Sequence, residues 1–242
     1  MIKLRSLLFV ASFYLSTLFL FIIMLPILLV PRKYALLFPF CWTHMTNALM
    51  RLICGIRIKV EGLENLPKEA GYIVASKHQS ALETTVFHRI VPNMFYVLKQ
   101  ELMFIPFAGL YFLKVGCVPI NRGGGTKTMR SMLERVQKRL SQGMNLVIFP
   151  EGTRTAPGTK QPYSPGTAFL YEQCKVPVVP VALNSGYCWP KNKTIKHAGT
   201  VTIRFLEPIA PGMEKRAFLK ELYDRIETAQ DALPDPFNRD KA

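Results

Sequence analysis

The chain has 242 residues, of which 49% are hydrophobic, and its 31 Lys and Arg against 16 Asp and Glu give a formal charge of +15. This apolar composition excludes a disordered basic tail and indicates one domain of catalytic size with a lipophilic segment. The five cysteines are an odd number and form no C-x-x-C pair, which excludes a disulfide framework and a zinc site of that kind. They are expected to be buried thiols in a reducing compartment.

The first predicted element is an uncharged apolar segment of 24 residues, from Leu7 to Val30. As a helix it would be about 36 Å long, enough to cross the hydrocarbon core of a bilayer. A cleaved signal peptide is the alternative, but its apolar part should be about 7 to 15 residues long and end in a small-residue cleavage site. Basic residues flank both ends of the segment, so the positive-inside rule leaves its orientation open.

A second helix is predicted from residue 39 to residue 54, where apolar residues recur at helical spacing before Gly55 as a stop signal. Residues 1–55 are therefore expected to be a membrane anchor, either one spanning helix or a two-helix hairpin that enters one leaflet. In both versions the basic remainder is expected on the cytoplasmic face, where anionic lipids attract Lys and Arg. The positive charge then requires no nucleic-acid partner.

The catalytic domain is expected to occupy residues 56–233, followed by a frayed tail over 234–242. Short apolar runs typical of strands alternate there with helical patterns, which predicts an α/β domain. The predicted strands are 56–61, 72–75, 95–98, 117–120, 146–149, 178–183 and 201–206, and the clearest helices are 128–142 and 215–232.

The first candidate site follows the second predicted strand, where His78 stands in a turn before a helix. A carboxylate at Glu83, in the first helical turn, would fix the imidazole tautomer and leave the other ring nitrogen to remove a proton from an alcohol. Ser80 and Glu83 also have the spacing of a capping box, in which Glu83 would only bond to the Ser80 amide. Both interpretations are open from the sequence.

The second candidate lies where the fifth predicted strand ends, in Phe-Pro-Glu-Gly-Thr-Arg at 149–154. Loops at strand ends are where α/β domains bind ligands. Gly152 would let a ligand approach the backbone, and Arg154 can pair with phosphate oxygens. The alternative is an exposed ion pair between Glu151 and Arg154, which would contribute little.

The third candidate is Arg122, which precedes the glycines 123–125 and the start of a helix. This loop is not a P-loop, because Thr126 separates Gly125 from Lys127. Arg122 could still bind phosphate together with backbone amides at the helix N-terminus. A flexible linker would explain the glycines equally well.

Together these blocks resemble the 1-acyl-glycerol-3-phosphate acyltransferases of the glycerolipid acyltransferase superfamily, over residues 56–206. His78 and Glu83 look like the first block of that family, a His and an acid with four intervening residues. The strand that ends in Arg122 is similar to the second block. Phe-Pro-Glu-Gly-Thr-Arg at 149–154 is intact as the third and is highly specific.

The fourth block is similar to residues 176–181, a hydrophobic strand that carries Pro180. Lys99 begins a further segment that is often found between the first two blocks. Two positions depart from the family pattern. Glu83 stands where Asp is usual, and Asn121 precedes Arg122 where Asp or another residue is usual.

The resemblance implies a mixed sheet flanked by helices and a direct acyl transfer without an acyl-enzyme. His78 would take the proton from the free hydroxyl of a lysophospholipid, whose oxygen attacks an acyl thioester, while Glu83 holds the imidazole. Pro180 would be structural or line the site. The residues implied in acceptor binding are Lys99, Arg122, Glu151, Gly152, Thr153 and Arg154.

The implied partners are a lysophospholipid acceptor, acyl-CoA or acyl-carrier protein as the donor substrate, and a membrane with anionic lipids. No metal, no cofactor and no nucleic acid are expected. Three alternatives remain open. In the first, the acceptor is lysophosphatidylglycerol or an acyl-amino lipid. In the second, the protein is a hydrolase that uses Ser80, although no G-x-S-x-G elbow is present. In the third, it is a non-catalytic protein that binds anionic lipids.

Overall fold

The N-terminal part is helical in the computed structural model, which describes residues 1–121 and 123–238. Its elements are α1 (Ile2–Ile23), a 3-10 turn (Leu25–Leu29), α2 (Arg32–Ala35), α3 (Leu37–Leu49) and a π-helical turn (Met50–Cys54). Because Pro26 has no N–H for the helical ladder, α1 ends before the predicted Val30. Gly55 then ends the segment with φ +71°, a left-handed conformation that glycine adopts without strain.

The two long N-terminal helices run antiparallel. The rings of Phe21, near the end of α1, and Phe38, near the start of α3, stack with centroids 5.0 Å apart. At the opposite end Arg5 Nε donates to the Ile53 carbonyl at 2.6 Å. The two helices therefore form a helical hairpin.

Among the described residues, α1 is the helix whose length and composition suffice to cross a membrane. Its 22 residues make a helix about 33 Å long, comparable to the hydrocarbon core of a bilayer. Only 11% of its most apolar stretch is buried inside the protein, so most of its Leu, Ile and Phe side chains face outward. An outward apolar surface of this size is typical of a helix that contacts a membrane or a protein partner.

The rest of the described chain forms a seven-stranded mixed sheet in the order β1-β7-β6-β2-β5-β3-β4. The strands from β6 to β4 are parallel, β7 is antiparallel to β6, and β1 is parallel to β7. Every predicted strand is confirmed within two residues. The bounds are β1 (Ile56–Glu61), β2 (Ile73–Ser76), β3 (Met94–Lys99), β4 (Val118–Ile120), β5 (Asn145–Ile148), β6 (Val178–Leu183) and β7 (Gly199–Phe205).

Helices cover both faces of the sheet. Because successive strand residues point to opposite faces, Val74 of β2 lies in the core shared with α4, and Ile73 lies in the core shared with α6, α7 and α9. The helix bounds are α4 (Leu82–Ile90), α5 (Ala108–Val115), α6 (Gly125–Ser141), α7 (Pro165–Cys174), α8 (Ser185–Cys188) and α9 (Lys215–Asp231), with 3-10 turns at Leu63–Asn65 and Gln100–Phe104.

The helical hairpin is docked on the α/β domain. Phe9 of α1 is fully buried, and its ring meets that of Trp189 edge to face at 5.2 Å. Ser6 Oγ accepts a hydrogen bond of 2.9 Å from the Lys196 amide. α3 also packs against α4, the helix that begins beside the first candidate site. The hairpin and the catalytic domain therefore share part of one core.

The predicted frayed tail is ordered over its first residues. The Pro234 carbonyl accepts a hydrogen bond of 2.9 Å from Asn184 Nδ2, and the Pro236 carbonyl accepts one of 2.8 Å from the Thr200 amide. The prediction of fraying from residue 234 was therefore wrong for this stretch, because buried donors of other elements hold the backbone. The predicted tail residues 239–242 lie outside the described residues.

The five parallel strands β6, β2, β5, β3 and β4 all end at the same edge of the sheet, named here the carboxyl edge. Ligand sites of open α/β sheets lie at this edge, since the loops that follow parallel strands converge there. The described candidate residues that follow β2 and β5 are therefore brought to one side of the molecule.

Candidate active site

The segment between β2 and α4, residues 77–81, is named here the catalytic turn. Ser80 Oγ accepts a hydrogen bond of 2.8 Å from the Leu82 amide at the start of α4. Both carboxylate oxygens of Glu83 lie 3.0 Å from the Ser80 amide. Glu83 therefore reaches back to the Ser80 amide as the capping interpretation predicts, whereas Ser80 Oγ bonds to the Leu82 amide and Ala81 stands at the N-cap position of α4.

The same carboxylate also meets the imidazole. His78 Nδ1 lies 3.3 Å from Glu83 Oε2; the His78 side chain is 15% exposed and that of Glu83 is fully buried. The two interpretations of Glu83 are therefore compatible, because one oxygen can serve both the helix end and the ring. With Nδ1 directed to the carboxylate, Nε2 is the ring nitrogen left for a substrate hydroxyl, and no described residue bonds to it.

Glu83 has two further partners in its buried position. The Gln79 amide donates at 3.2 Å, and the Ser185 hydroxyl donates from the first residue of α8. A buried charge is costly unless donors surround it, and these donors satisfy the carboxylate without closing the face of the imidazole. Ser185 lies two residues after β6, so the end of this strand also contributes to the site.

Phe149 restrains the imidazole from one face. Its ring is stacked on His78 with centroids 3.9 Å apart and an angle of 15° between the planes. Phe149 is the first residue after β5, and β5 lies beside β2 in the sheet. The stacked ring and the Glu83 carboxylate together restrict the imidazole to one orientation at the carboxyl edge.

Glu151 is placed differently from the expectation that it contacts a head group. Its side chain is fully buried, and its Oε2 accepts a hydrogen bond of 2.7 Å from the His78 amide. Its Oε1 accepts from Thr155 Oγ1 at 2.7 Å and lies 2.8 Å from Lys77 Nζ. The alternative ion pair with Arg154 is also absent from the ion pairs of the described residues. Both oxygens of Glu151 are therefore occupied by the protein.

Lys77 is a buried cation between two carboxylates. Its Nζ also lies 2.8 Å from Glu227 Oε1 on α9, and this oxygen accepts a hydrogen bond of 3.0 Å from the Tyr163 hydroxyl. Burial by itself lowers the pKa of Lys77, but the hydrogen bonds that its ammonium donates to Glu151 and Glu227 outweigh burial, so the pKa lies above its ordinary value. Burial and the Glu227 carboxylate raise the pKa of Tyr163.

The other residues of the third block line the exposed side of the loop. Thr153 is exposed and Arg154 is half-buried, with its carbonyl accepting a hydrogen bond of 2.6 Å from Lys191 Nζ. Gly152 has φ +67°, and a Cβ at this position would meet no atom within 4 Å. Its backbone conformation therefore requires glycine, while the space beside it is open.

Arg122, the residue predicted to pair with phosphate, lies outside the described residues. Its neighbours Asn121 and Gly123 follow β4 at the carboxyl edge, where Asn121 Oδ1 accepts a hydrogen bond of 3.0 Å from the Gly123 amide. β4 lies three strand positions from β2, a separation of about 14 Å at the usual strand spacing.

Lys99 and Pro180 occupy two further strands. Lys99 is exposed at the end of β3, on the carboxyl edge. Pro180 is buried inside β6 in register with Ala75, and its carbonyl accepts a hydrogen bond of 2.9 Å from the Leu206 amide. Of the two roles predicted for Pro180, this position matches the structural one.

A sequence model described as Acyltransferase matches residues 57–184, more than half of the chain. This chain belongs to the acyltransferase family. The 1-acyl-sn-glycerol-3-phosphate acyltransferase of Pseudomonas aeruginosa is 34% identical over 162 residues, 67% of this chain and 63% of that protein. The 1-acyl-sn-glycerol-3-phosphate acyltransferase alpha of Homo sapiens is 31% identical over 164 residues, 66% of this chain and 57% of that protein. The chain thus spans less than two thirds of the length of these relatives.

The fold of this acyltransferase is shared with a solved structure. The crystal structure of the 1-acyl-sn-glycerophosphate (LPA) acyltransferase from Thermotoga maritima superposes with a TM-score of 0.83 and covers 99% of this chain and 100% of that chain. The sequences are 23% identical, and the likeness shows the fold. It extends over the helical hairpin as well as the α/β domain.

Sequence reasoning missed four contributors to the site of this acyltransferase. Ser185 could have been found as the polar residue that follows β6, since parallel strands end together. Lys77 could have been noticed as a charge directly after a fully buried strand. The contacts of Phe149 and Glu227 carry no comparable sequence signal, because an aromatic after a strand and an acid on an amphipathic helix are both common.

Proposed function

We propose that this acyltransferase transfers an acyl group from an acyl thioester to the sn-2 hydroxyl of 1-acyl-glycerol-3-phosphate and forms phosphatidate. The observation that carries this proposal is the His78 and Glu83 pair, with Nδ1 and Oε2 3.3 Å apart and the ring partly open at the carboxyl edge. The names of the Pseudomonas aeruginosa and Homo sapiens relatives support the choice of acceptor.

In the proposed reaction, His78 Nε2 takes the proton of the acceptor hydroxyl as its oxygen attacks the thioester carbonyl carbon. The new C–O bond forms, the C–S bond breaks, and the departing thiolate takes the proton back from the imidazolium. Glu83 stabilises the imidazolium in between, and the stacked Phe149 ring keeps it aimed at the carboxyl edge. The acyl group passes directly between the substrates.

We assign the acceptor phosphate to Arg122 and Arg154, because guanidinium groups bind phosphate oxygens in pairs of hydrogen bonds. Arg154 follows β5, next to the strand that leads to His78, and no ion pair links its guanidinium to another described residue. Lys99 adds a cation at the end of β3, and Thr153 an exposed hydroxyl. Glu151 supports the loop that carries these groups.

The proposed acceptor gives a chemical reason for the enzyme to bind a membrane. An acceptor with one acyl chain lies at the lipid surface, and the outward apolar side chains of α1 would hold the enzyme there. We assign the basic catalytic domain to the cytoplasmic face, where anionic lipids attract it and where a soluble donor, acyl-CoA or acyl-carrier protein, can reach the site.

The test is an assay of the purified full chain with labelled acyl-CoA or acyl-carrier protein and 1-acyl-glycerol-3-phosphate, in which phosphatidate is measured. We expect phosphatidate from the wild type and a loss of turnover by about 10²- to 10⁴-fold in His78→Ala, because the general base is removed. Binding to anionic vesicles should be retained. The matched control is His44→Ala, an exposed histidine on α3, with unchanged turnover.

Two outcomes would contradict parts of the proposal. Phosphatidate formed equally fast by His78→Ala would remove the imidazole from the reaction and support a non-catalytic or different role for the turn. Acyl transfer only to lysophosphatidylglycerol or to an acyl-amino lipid, in a panel with the same donor, would keep the transfer and replace the acceptor.

A further inference from the structure

A cluster of charged side chains lies behind the catalytic turn, where the loop after β5 meets α9. Lys77 Nζ lies 2.8 Å from a carboxylate oxygen of Glu151 and 2.8 Å from one of Glu227. The three side chains expose 2%, 0% and 5% of their surface. One ammonium is thus enclosed with two carboxylates, and Tyr163 supplies a further donor to Glu227.

This cluster is connected to the backbone of His78 on both sides. Glu151 Oε2 accepts from the His78 amide at 2.7 Å, and the Thr155 amide donates to the His78 carbonyl at 2.8 Å. Thr155 Oγ1 in turn donates to Glu151 Oε1. The position of the His78 main chain therefore depends on the loop at 151–155, and the orientation of Glu151 in that loop depends on Lys77.

Burying such a cluster is not an efficient way to stabilise a fold. Removing charges from water is costly, and well-packed apolar residues often stabilise a core as well as a buried ion pair does. What an ionic cluster adds is direction, since each hydrogen bond fixes an angle as well as a distance. Here the directed bonds end on the main chain of the residue with the free imidazole nitrogen.

We propose that Glu227 is a positioning residue for His78 and acts through Lys77 and Glu151, an inference that rests on the proposed acyl transfer. Glu227 lies on α9, beyond the matched residues 57–184. Its carboxylate pairs with the same Lys77 ammonium that binds Glu151 Oε1, so that Lys77 stays in place and Glu151 keeps its second oxygen on the His78 amide. The C-terminal helix thus completes the support of the catalytic turn.

The first test is Glu227→Gln, which keeps the shape and an acceptor but removes the charge. The matched control is Asp224→Asn, on the same helix, where the carboxylate pairs with Lys220 at the surface. We expect kcat to fall about 10- to 100-fold in Glu227→Gln with the acceptor KM within about twofold, because a displaced base slows the chemical step and leaves the acceptor contacts intact. Asp224→Asn should retain both constants.

A second measurement follows the loop without any turnover. Trypsin cleaves after Arg154, and this bond precedes Thr155, whose amide is bonded to His78. Well below the melting temperature, Glu227→Gln should be cleaved there several times faster than the wild type or Asp224→Asn, since the loop opens more often. Fragment masses identify the bond.

The outcomes are distinct. A lower melting temperature with unchanged kcat and unchanged cleavage would overturn the proposal and leave Glu227 a structural role. If the wild type forms no phosphatidate, the proposed function fails, while faster cleavage in Glu227→Gln still supports the connection from α9 to the catalytic turn. Unchanged cleavage overturns that connection in either case.

Tyr163→Phe keeps the proposal testable if Glu227→Gln does not fold. It removes one donor to Glu227 and changes little volume, so kcat should fall about two- to fivefold with an unchanged acceptor KM. Cleavage after Arg154 should rise in the same variant. An unchanged kcat together with unchanged cleavage would overturn the proposal.

Discussion

Lys77 and His78 are neighbours in the chain but lie in opposite environments. The Lys77 side chain is enclosed with the carboxylates of Glu151 and Glu227, whereas the His78 ring is open at the carboxyl edge. Each has a carboxylate partner at hydrogen-bond distance. On the buried side the Lys77 ammonium is paired with two carboxylates, and on the open side no described residue bonds to the second ring nitrogen of His78.

The difference shows how one turn can hold both a reactive group and its support. A general base needs a free nitrogen, and that nitrogen is useful only if the backbone beneath it stays in place. In the proposed reaction the open side supplies the base, with Glu83, Ser185 and Phe149 around it, and on the buried side Glu151 bonds to the main chain of His78. Each variant below removes a contact on only one of the two sides.

The largest effect within this comparison is expected for Glu83→Gln on the open side. The amide keeps the shape of the carboxylate but cannot stabilise an imidazolium, so turnover should fall about 10²-fold or more. The amide oxygen can still accept from the Ser80 amide, so turnover should fall far more than the melting temperature. Initial rates and thermal unfolding of the same preparation measure both.

Normal turnover with a melting temperature lowered by several degrees would contradict this prediction and reduce Glu83 to a helix cap. A useful comparison is Ser80→Ala, which removes the Oγ acceptor for the Leu82 amide and leaves the carboxylate in place. It should lower the melting temperature more than it lowers turnover.

A smaller effect is expected for Ser185→Ala, which removes one donor from the buried Glu83 carboxylate. Leaving a buried charge with one donor fewer costs about 1 to 3 kcal/mol. Part of this cost lowers the stability of the fold, and part lets the Glu83 carboxylate move away from the imidazole. We expect turnover to fall roughly tenfold with the acceptor KM unchanged. Ser185→Thr, which retains a hydroxyl, is the matched variant and should recover part of the rate. Equal rates in both variants would exclude the hydroxyl as the cause.

The smallest effect concerns the buried side at high pH. In the unfolded chain Tyr163 would ionise near its ordinary pKa of about 10, whereas burial and Glu227 raise that pKa in the folded protein. The folded state therefore keeps a proton that the unfolded state loses, and this contribution to stability is complete below about pH 10 and falls above it. Lys77, whose pKa is also raised, acts in the same direction.

Thermal unfolding of the wild type and Tyr163→Phe between about pH 9 and pH 11 tests this sign. We expect the melting temperature of the wild type to fall more steeply above pH 10, because the variant has lost one of the two groups. Parallel curves would show that Tyr163 ionises alike in both states.

Local sequence patterns predicted much of this molecule. Strand periodicity placed all seven strands within two residues, and Gly55 marked the end of the N-terminal helices. The spacing of Ser80 and Glu83 predicted the bond from the Ser80 amide to the Glu83 carboxylate, and the position of His78 just before the helix predicted its contact with Glu83. These predictions depend on neighbours along the chain or on one strand end, where propensity and spacing decide the geometry.

Predictions that depended on distant residues were less accurate. Glu151 was expected at the ligand, but a lysine from the neighbouring strand end binds it in the interior. The tail after residue 233 was expected to fray, but Asn184 and the Thr200 amide hold it. In both cases the deciding partner is remote in sequence, and its burial depends on the packing of several elements.

The amino-acid sequence alone determined the strand and helix pattern, the family resemblance and the residue types at the carboxyl edge, because these depend on local spacing and residue chemistry. Only the tertiary structure decided that the Lys77 side chain, next to His78 in the catalytic turn, is enclosed by the carboxylates of Glu151 and Glu227. The reason is physical. Burial of a charge depends on whether counter-charges from distant elements reach it, and that depends on how the helices pack on the sheet.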